Sequence, residues 1–380
     1  MGAIITFLTT LLFISIVSKM DFSQDSKKNA IIRQIIIALT AIILFNPVQW
    51  EIKTIEFYAP FSIICFFIVC NLWFGDRILN NIGKTPLNVI IYYTIGLGGC
   101  ICLIYSAFFP AVVFALGVCA IINFVLNYKA ERMTNLWKYI IVLTGILISS
   151  YLYMYGVKGV DKSGNGFSEF IQSLINGDFA KGILLFLGAS VLHVSIIEAD
   201  GLVKCYVAGS IIALLMLCAL ILFVVNRSKF NSYIGIMLIL YTLMVGVLLS
   251  YGRGQNYGIM YMCTSRYAFQ SKLGLIGLCL VFGNCSLWDK ESIRSKLRYC
   301  FRILMSGVLI VLFWRSYLEE KKISPYRRML FDSLIQNMYQ IEEVSDEELI
   351  SFQADNPEQV RNTVELMKQY KLGVFYKNSN

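Results

Sequence analysis

The stretch CYVAGSIIALLMLCALILFVV, residues 205–225, carries no charged side chain. A helix needs about 20 apolar residues to cross the roughly 30 Å hydrocarbon core of a bilayer. Hydrophobic residues make up 57% of the chain and charged residues 15%, against about 25% charged in an average soluble domain. Similar apolar runs occupy residues 2–18, 30–46, 57–74, 86–107, 109–127, 137–155, 231–250, 268–286 and 298–315. Because only helices satisfy their own backbone within one lipid-exposed segment, we predict an all-α integral membrane protein.

Basic residues between these runs predict the orientation, since cytoplasmic loops are enriched in Lys and Arg. In the first half of the chain, the connections between apolar runs fall into two alternating sets. One set holds Lys53 as its single Lys or Arg. The other connections carry Lys19, Lys27, Lys28, Arg33, Arg77, Lys84, Lys129, Arg132 and Lys138. We therefore predict that the N-terminus is outside the cell and that these basic connections are cytoplasmic.

Residues 182–197 form a shorter apolar stretch that ends at Glu198 and Asp200. The basic residues at 227–229 and 290–302 look cytoplasmic, whereas loop 156–181 should be external by continuation. These two placements are compatible if 182–197 is a re-entrant or short helix that does not cross the membrane. The chain then has about ten transmembrane helices. Residues 251–267 and the tail are then external as well. With 182–197 as a full span there are about eleven helices, and 251–267 is cytoplasmic.

The chain divides into a transmembrane domain, residues 1–315, and an extramembrane helical tail, residues 316–380. Tyr326–Gln340 and Pro357–Leu372 show helical periodicity, and Pro357 suits the first turn of a helix. Val360, Val364 and Met367 fall on one face of the second helix. We expect a small helical cap rather than a large separate core.

The segment YGRGQNYGIMYMCTSRY, residues 251–267, concentrates Arg, Tyr and Gly where the chain leaves the membrane. Arginine forks bind phosphates in bidentate fashion, and tyrosine rings offer faces for sugars. Arg253 and Arg266 are the predicted diphosphate ligands. The predicted sugar contacts are Tyr257, Tyr261 and Tyr267. The alternative is that the arginines only contact lipid headgroups at the membrane edge.

Loop 156–181 and the segment that follows it supply further candidates. Lys158 is a predicted contact for an anionic substrate, and Asp161, Glu169 and Glu198 are candidate catalytic bases. His193 lies in an apolar stretch, where ionisable groups are costly and tend to be functional. The alternatives are a solvated turn for the loop and an internally satisfied polar group for the histidine.

Other chemistry is disfavoured by composition. His193 is the single histidine, no Cys-x-x-Cys pair occurs, and most of the 11 cysteines lie in apolar runs. We therefore predict no metal site and no cofactor. The chain has a net charge of +9, which the basic cytoplasmic loops of a membrane protein explain. The charge therefore does not indicate nucleic-acid binding.

Several stretches resemble a group of bacterial polytopic membrane proteins with a Gly-Arg…Gly…Ser-Arg-Tyr…Ser pattern. The matching residues are Gly252-Arg253, Gly258, Ser265-Arg266-Tyr267 and Ser271, with 153–159, 184–189, 356–361 and 372–375 similar in order. The group is loosely similar in layout to O-antigen polymerases and ligases, although this chain lacks their one very large external loop. The resemblance implies external arginines that bind polyprenyl-diphosphate-linked sugars.

The leading hypothesis is a multi-pass protein of the bacterial inner membrane that polymerises or transfers lipid-linked glycan. Its partners would be the bilayer and a polyprenyl-linked glycan. Two alternatives stay open: a transporter or flippase for an anionic or lipid-linked substrate without covalent chemistry, and a non-catalytic scaffold. No internal symmetry of the kind common in transporters is visible.

Overall fold

The computed structural model describes residues 2–23, 26–46, 59–80, 108–127, 137–157, 171–172, 175–193, 197, 201–226, 230, 232–254, 258–264, 267–283, 293–350 and 356–375. The regular elements in these ranges are all helical, as the sequence predicts. The chain divides into two compact units, Met1–Tyr317 and Leu318–Asn380.

The helices of the first unit follow the apolar runs closely. They are α1 (Gly2–Ser18), α2 (Ser26–Phe45), α3 (Ala59–Leu79), α4 (Phe109–Asn127), α5 (Trp137–Val157), α6 (Asp178–Gly188), α7 (Leu202–Val225), α8 (Ile234–Leu249), α9 (Ala268–Gly283) and the first part of α10 (Ile293–Tyr339). Among the described residues, four helical stretches are long and apolar enough to cross a membrane by length and composition: Ser26–Phe45, Ser62–Leu79, Leu202–Val225 and Ile234–Gly254. The predicted run 86–107 lies outside the described residues.

Two features of these helices suit an apolar solvent. In α1, the hydroxyls of Thr6 and Thr10 donate to the carbonyl oxygens of Gly2 and Thr6, so both are satisfied within the helix. Helix α7 has only 28% of its most apolar window buried. Its exposed face carries Val203, Val207, Ile211, Leu214, Leu217, Ile221 and Val224. A continuous apolar stripe of this length needs lipid or another apolar surface against it.

Helix α8 lies at the centre of the first unit, with 72% of its most apolar window buried. It packs antiparallel on α9 through small residues. A Cβ atom at Gly277 would come within 2.6 Å of the carbonyl oxygen of Gly235. Such close backbone contact is typical of helix pairs in membranes, where dispersion between tightly packed surfaces stabilises association.

The helix ends collect at two opposite ends of the first unit. At one end, named here the basic end, the Lys19 ammonium lies 5.4 Å from the Trp73 ring centroid and links α1 to α3. There the Ser232 hydroxyl, just before α8, donates to the Asp76 carboxylate at 2.8 Å. A Cβ at Gly283, the last residue of α9, would be 3.5 Å from the Phe22 ring.

The other end, named here the motif end, holds the described part of segment 251–267. The Phe108 and Tyr267 rings meet there at 6.4 Å, which places the start of α4 beside the start of α9. The Ser316 hydroxyl of α10 donates to the Val191 carbonyl oxygen at 3.2 Å. Stacking of Phe109 on Tyr153 puts the C-terminal part of α5 at the same end.

Helix α6 is the short element that the sequence predicts at 182–197, displaced toward the N-terminus. It has 11 residues, or about 16 Å at 1.5 Å per residue, which is about half of the hydrocarbon thickness. Glycine ends the helix, and the chain then turns through residues 189–192 to His193. The helix is thus too short to cross a membrane by itself.

Helix α10 differs from the prediction of separate elements at 298–315 and 326–340. It is continuous over 47 residues, with Pro325 inside it. Proline removes the N–H that would bond the Lys321 carbonyl oxygen. The Ser324 hydroxyl donates to that oxygen at 3.3 Å instead, which restores a donor where the helix lacks one.

The second unit is built around a small core of its own. It contains the remainder of α10, α11 (Asp346–Ile350), α12 (Pro357–Gln369) and a 3₁₀ turn, Gly373–Phe375. Asn356 caps α12 by accepting from the Glu358 N–H at 2.9 Å, and Pro357 occupies the first turn as predicted. The predicted apolar face of α12, Val360, Val364 and Met367, packs into the core formed by Ile341, Val344, Leu349 and Phe375.

Candidate functional site

The end of α8 changes its helical pitch where segment 251–267 begins. Residues Ser250–Gly254 form a π turn, in which one residue more than usual is contained in each hydrogen-bonded turn. Such turns are frequent at functional sites because they redirect side chains. Arg253 lies on this turn and is exposed. Its predicted role as a diphosphate ligand stays a prediction.

The chain then passes beneath this turn in a 3₁₀ helix, Ile259–Cys263. Gly258, with φ of 84°, starts it in a conformation that favours glycine. A Cβ at Gly254 would contact the Met262 sulfur at 3.6 Å, so the π turn and the 3₁₀ helix pack on each other. Met262 and Cys263 are buried, whereas Met260 is exposed. The segment is therefore a packed structure with one exposed edge.

The two described tyrosines of the predicted sugar contacts differ in exposure. The rings of Tyr261 and Tyr267 are 5.9 Å apart and inclined by 59°. Tyr261 is half-buried, but Tyr267 is only 6% exposed and packs edge-on against Phe108. Only the Tyr261 ring offers a partly open face, so Tyr267 supports its neighbour rather than presenting a surface.

Helix α6 supports the π turn and the 3₁₀ helix through close glycine contacts. A Cβ at Gly182 would lie 2.6 Å from the Ser250 hydroxyl oxygen, at the start of the π turn. On the other side, a Cβ at Gly209 of α7 would lie 1.9 Å from the Leu184 carbonyl oxygen, and one at Gly188 would lie 2.2 Å from the Cys205 carbonyl oxygen. Helix α6 is thus wedged between α7 and the end of α8.

A pair of thiols joins α7 to the 3₁₀ helix. The Cys205 thiol lies beside the Cys263 thiol and donates to the Leu185 carbonyl oxygen at 3.4 Å. Both residues are buried. The pair fixes the 3₁₀ helix against the start of α7, and nothing in the spacing of the two cysteines indicates that they meet.

Several exposed cations surround this support. Lys181, Lys204, Arg253 and Arg315 are all exposed at the motif end. Lys181 donates to the Asp178 carboxylate at 2.9 Å, and this contact raises the pKa of the Lys181 ammonium above its usual range. Four cations on one end attract anionic groups.

His193 is buried, with 1% of its surface exposed. It follows the turn after α6, and its carbonyl oxygen accepts from the Ile197 N–H at 3.2 Å. Its ring lies inside the protein, and its predicted role in substrate binding stays a prediction. Direct contact with a bulky glycan is therefore excluded in this conformation.

The other predicted site residues fall outside the described residues. They are Lys158, Asp161, Glu169, Glu198, Tyr257 and Arg266. Their roles as base, anion contact, sugar contact and diphosphate ligand stay predictions. Among the described residues, no group of three or more His, Cys, Asp or Glu is arranged to hold a metal ion.

A buried polar cluster lies just inside the motif end, and none of the predicted site residues belongs to it. The Lys272 side chain of α9 is fully buried, with its ammonium 3.4 Å from both the backbone and side-chain oxygens of Asn46. Two residues earlier in α9, the Gln270 side chain accepts from the Tyr241 hydroxyl at 2.5 Å. Its amide donates to the Cys65 sulfur at 3.0 Å. The visible signal was Lys272 itself, a single cation within the apolar run 268–286.

The arrangement can bind an anion at its exposed edge and holds a buried cation beneath it.

Comparison of the chain with protein-family models, curated proteins and solved structures finds no match.

Proposed function

We propose that the chain is a multi-pass protein of the bacterial inner membrane that crosses the bilayer about ten times. The order of helix ends supports this. Helices α3 and α4 both run from the motif end to the basic end, so the intervening chain must return, as the predicted run 86–107 would. Helix α5 ends and α7 begins at the motif end, so the segment between them makes no net crossing.

The basic end faces the cytoplasm in this proposal. Lys19, Lys27, Lys28, Arg33 and Arg77 all belong to it, and such residues are enriched in cytoplasmic loops. The motif end then faces outward, where Lys and Arg are less frequent than in cytoplasmic loops. We attribute the exposed cations described there to ligand binding, because orientation alone does not require them.

The substrate we propose is a polyprenyl-diphosphate-linked glycan, bound at the motif end and polymerised or transferred there. The observation that carries this proposal is the group of exposed cations, Arg253, Lys181, Lys204 and Arg315, around the glycine-packed support. Guanidinium and ammonium groups bind the oxygens of a diphosphate. The half-buried Tyr261 ring would contact the sugar next to it.

The polymerising or transferring step would proceed as a displacement at the anomeric carbon. The acceptor hydroxyl loses its proton to a carboxylate, its oxygen bonds to that carbon, and the carbon–oxygen bond to the diphosphate breaks. The departing lipid diphosphate keeps the electron pair, and Arg253 and Arg266 would stabilise its negative charge. Asp161, Glu169 and Glu198 are the candidates for the base.

Purified protein in vesicles provides the test. Given a polyprenyl-diphosphate-linked oligosaccharide, the wild type should yield lengthened or transferred glycan, resolved by gel electrophoresis or mass spectrometry. Arg253→Gln should lower the rate by at least tenfold, because one charge-assisted contact to the diphosphate is lost. Arg253→Lys should keep an intermediate rate.

The control is Arg328→Gln in the second unit, an exposed arginine that belongs to neither segment 251–267 nor helices α6 and α7. Its rate should equal that of the wild type. Absence of any glycan product from a folded wild-type protein, over a panel of lipid-linked donors, contradicts the proposal. Equal rates for Arg253→Gln and Arg328→Gln contradict the role of the motif end.

A second candidate is transport without covalent change, and the buried cluster at Lys272 and Gln270 favours it. A cation at this depth is expensive unless it lines a path for ions or substrate. In the same vesicles, movement of the lipid-linked substrate across the bilayer without chain lengthening would select transport. Lys272→Met should then abolish movement, while Arg328→Gln leaves it unchanged.

A further inference from the structure

We propose that the basic end contains a second, separate binding site, which takes the phosphoryl group of an anionic ligand. A cavity of about 290 Å³ opens there between the ends of α1, α3 and α9 and the start of α8. This volume is at the lower limit of the roughly 300–1,000 Å³ of small-molecule sites, which suits a phosphorylated headgroup rather than a whole lipid. This inference does not depend on the proposed function.

Two cations and one indole form the polar wall of the cavity. The Lys19 ammonium is 5.4 Å and the Arg77 guanidinium 5.7 Å from the Trp73 ring centroid. Within the part of the chain that the structure describes, neither cation forms an ion pair. The Arg77 Nε atom is buried and makes no hydrogen bond there. The Lys19 side chain is exposed, so this wall offers a cation that an anion can contact, and the Arg77 charge beside it adds to the attraction.

The two carboxylates that also line the cavity are already engaged by other groups. The Asp76 carboxylate, 3% exposed, accepts from the Asn80 amide, the Ser232 hydroxyl and the Tyr233 N–H. These three donors stabilise its charge and keep it turned toward the start of α8.

Asp21 is likewise engaged. Its carboxylate accepts from the Arg33 guanidinium at 2.9 Å and from the Asn29 amide at 3.2 Å. Lys19 and Arg77 are therefore the cations of the lining that a ligand would meet. An anion with several acceptor oxygens fits that requirement, and phosphoryl groups have this chemistry.

The opposite wall of the cavity is apolar, formed by Ile16, Phe230, Leu280 and Val281. A ligand with a phosphoryl group at one end and hydrocarbon at the other would contact both walls. An anionic phospholipid such as phosphatidylglycerol has this form, and glycerol phosphate supplies the same headgroup without hydrocarbon. The shared chemistry is the phosphoryl group on the two cations.

Native mass spectrometry of the full chain in detergent tests this site. Phosphatidylglycerol should be retained as an adduct in preference to phosphatidylethanolamine. Arg77→Gln should weaken its retention about tenfold, as expected for loss of one charge-assisted contact. Competition with excess glycerol 1-phosphate identifies the source: displacement of the lipid selects a headgroup site open to soluble phosphates, and no displacement selects a lipid site.

The control is Lys28→Gln, which removes one positive charge from the same end without lining the cavity. It should leave retention unchanged. If Arg77→Gln does not fold, Lys19→Gln replaces it, because Lys19 is exposed. Equal retention of both lipids together with no binding of glycerol 1-phosphate overturns the proposal. Equal loss in Lys28→Gln and the cavity variants also overturns it, since general surface charge would then explain binding.

Discussion

Replacing Gly209 by alanine should detach α6 from α7 and destabilise the whole motif end. The added Cβ would lie 1.9 Å from the Leu184 carbonyl oxygen, 2.7 Å from its carbon and 3.1 Å from the Leu184 Cα. All three atoms are backbone, so no side chain can rotate out of the way. To reach the 3.4 Å of ordinary contact, the two helices must separate by about 1.5 Å.

The free energy of unfolding should fall by about 2 kcal/mol in Gly209→Ala. Overpacking of this kind costs roughly 1–3 kcal/mol, and a clash with backbone belongs at the upper limit. The higher helix propensity of alanine stabilises the folded state by roughly 0.5–1 kcal/mol. Subtracting this gain from the overpacking cost gives the expected loss of stability. Denaturant-induced unfolding of the purified protein in detergent, followed by circular dichroism, measures it.

Gly117→Ala is the matched control. This glycine also lies within an apolar helix, but a Cβ there would meet only the Ile146 Cδ1 atom, at 3.9 Å. The control should therefore match the wild type or gain up to about 1 kcal/mol. If Gly209→Ala proved as stable as Gly117→Ala, the close packing of α6 on α7 would be refuted.

Three further predictions concern separate contacts. Asp76→Ala should lower the unfolding free energy by roughly 1–3 kcal/mol, because the Tyr233 N–H loses the carboxylate that accepts from it, and Asp76→Asn should retain part of that stability. Equal stability of the wild type and both variants would contradict this. Diamide oxidation of membranes should join Cys205 to Cys263, seen as one cross-linked peptide by mass spectrometry, and its absence in folded protein would contradict their contact. Asn356→Ala should weaken α12 by about 1 kcal/mol, measured as faster amide exchange over residues 357–369; unchanged exchange would contradict the cap.

The sequence predicts the helical class because uncharged runs of membrane length have few other solutions. It places most helix centres correctly, since each of these helices lies largely within one continuous apolar run. It does not predict the continuity of α10, because Pro325 looks like an interruption. The compensating Ser324 hydroxyl bond becomes visible only in three dimensions.

The candidate site was predictable only in part, for a similar reason. Exposed Arg253 follows from its position next to an apolar run. By contrast, Asp76 and Ser232 are 156 residues apart and meet through tertiary packing, which no local spacing encodes. The same holds for Lys272 and Asn46, whose contact requires α9 to lie beside the end of α2. A charged residue within an apolar run indicates that such a contact exists, but it does not predict which residue is the partner.

The orientation of the motif end is the claim on which the proposed function depends. Residue 263 is a poor reporter, because Cys263 is buried, whereas Met260 is 39% exposed on the same 3₁₀ helix. The decisive measurement is labelling of Met260→Cys by a membrane-impermeant maleimide, in a chain whose native cysteines are replaced, with Lys28→Cys as the reporter of the basic end. We predict that Met260→Cys is labelled in intact cells and Lys28→Cys only after permeabilisation. The reverse pattern would contradict the outward orientation and, with it, a glycan site at the motif end.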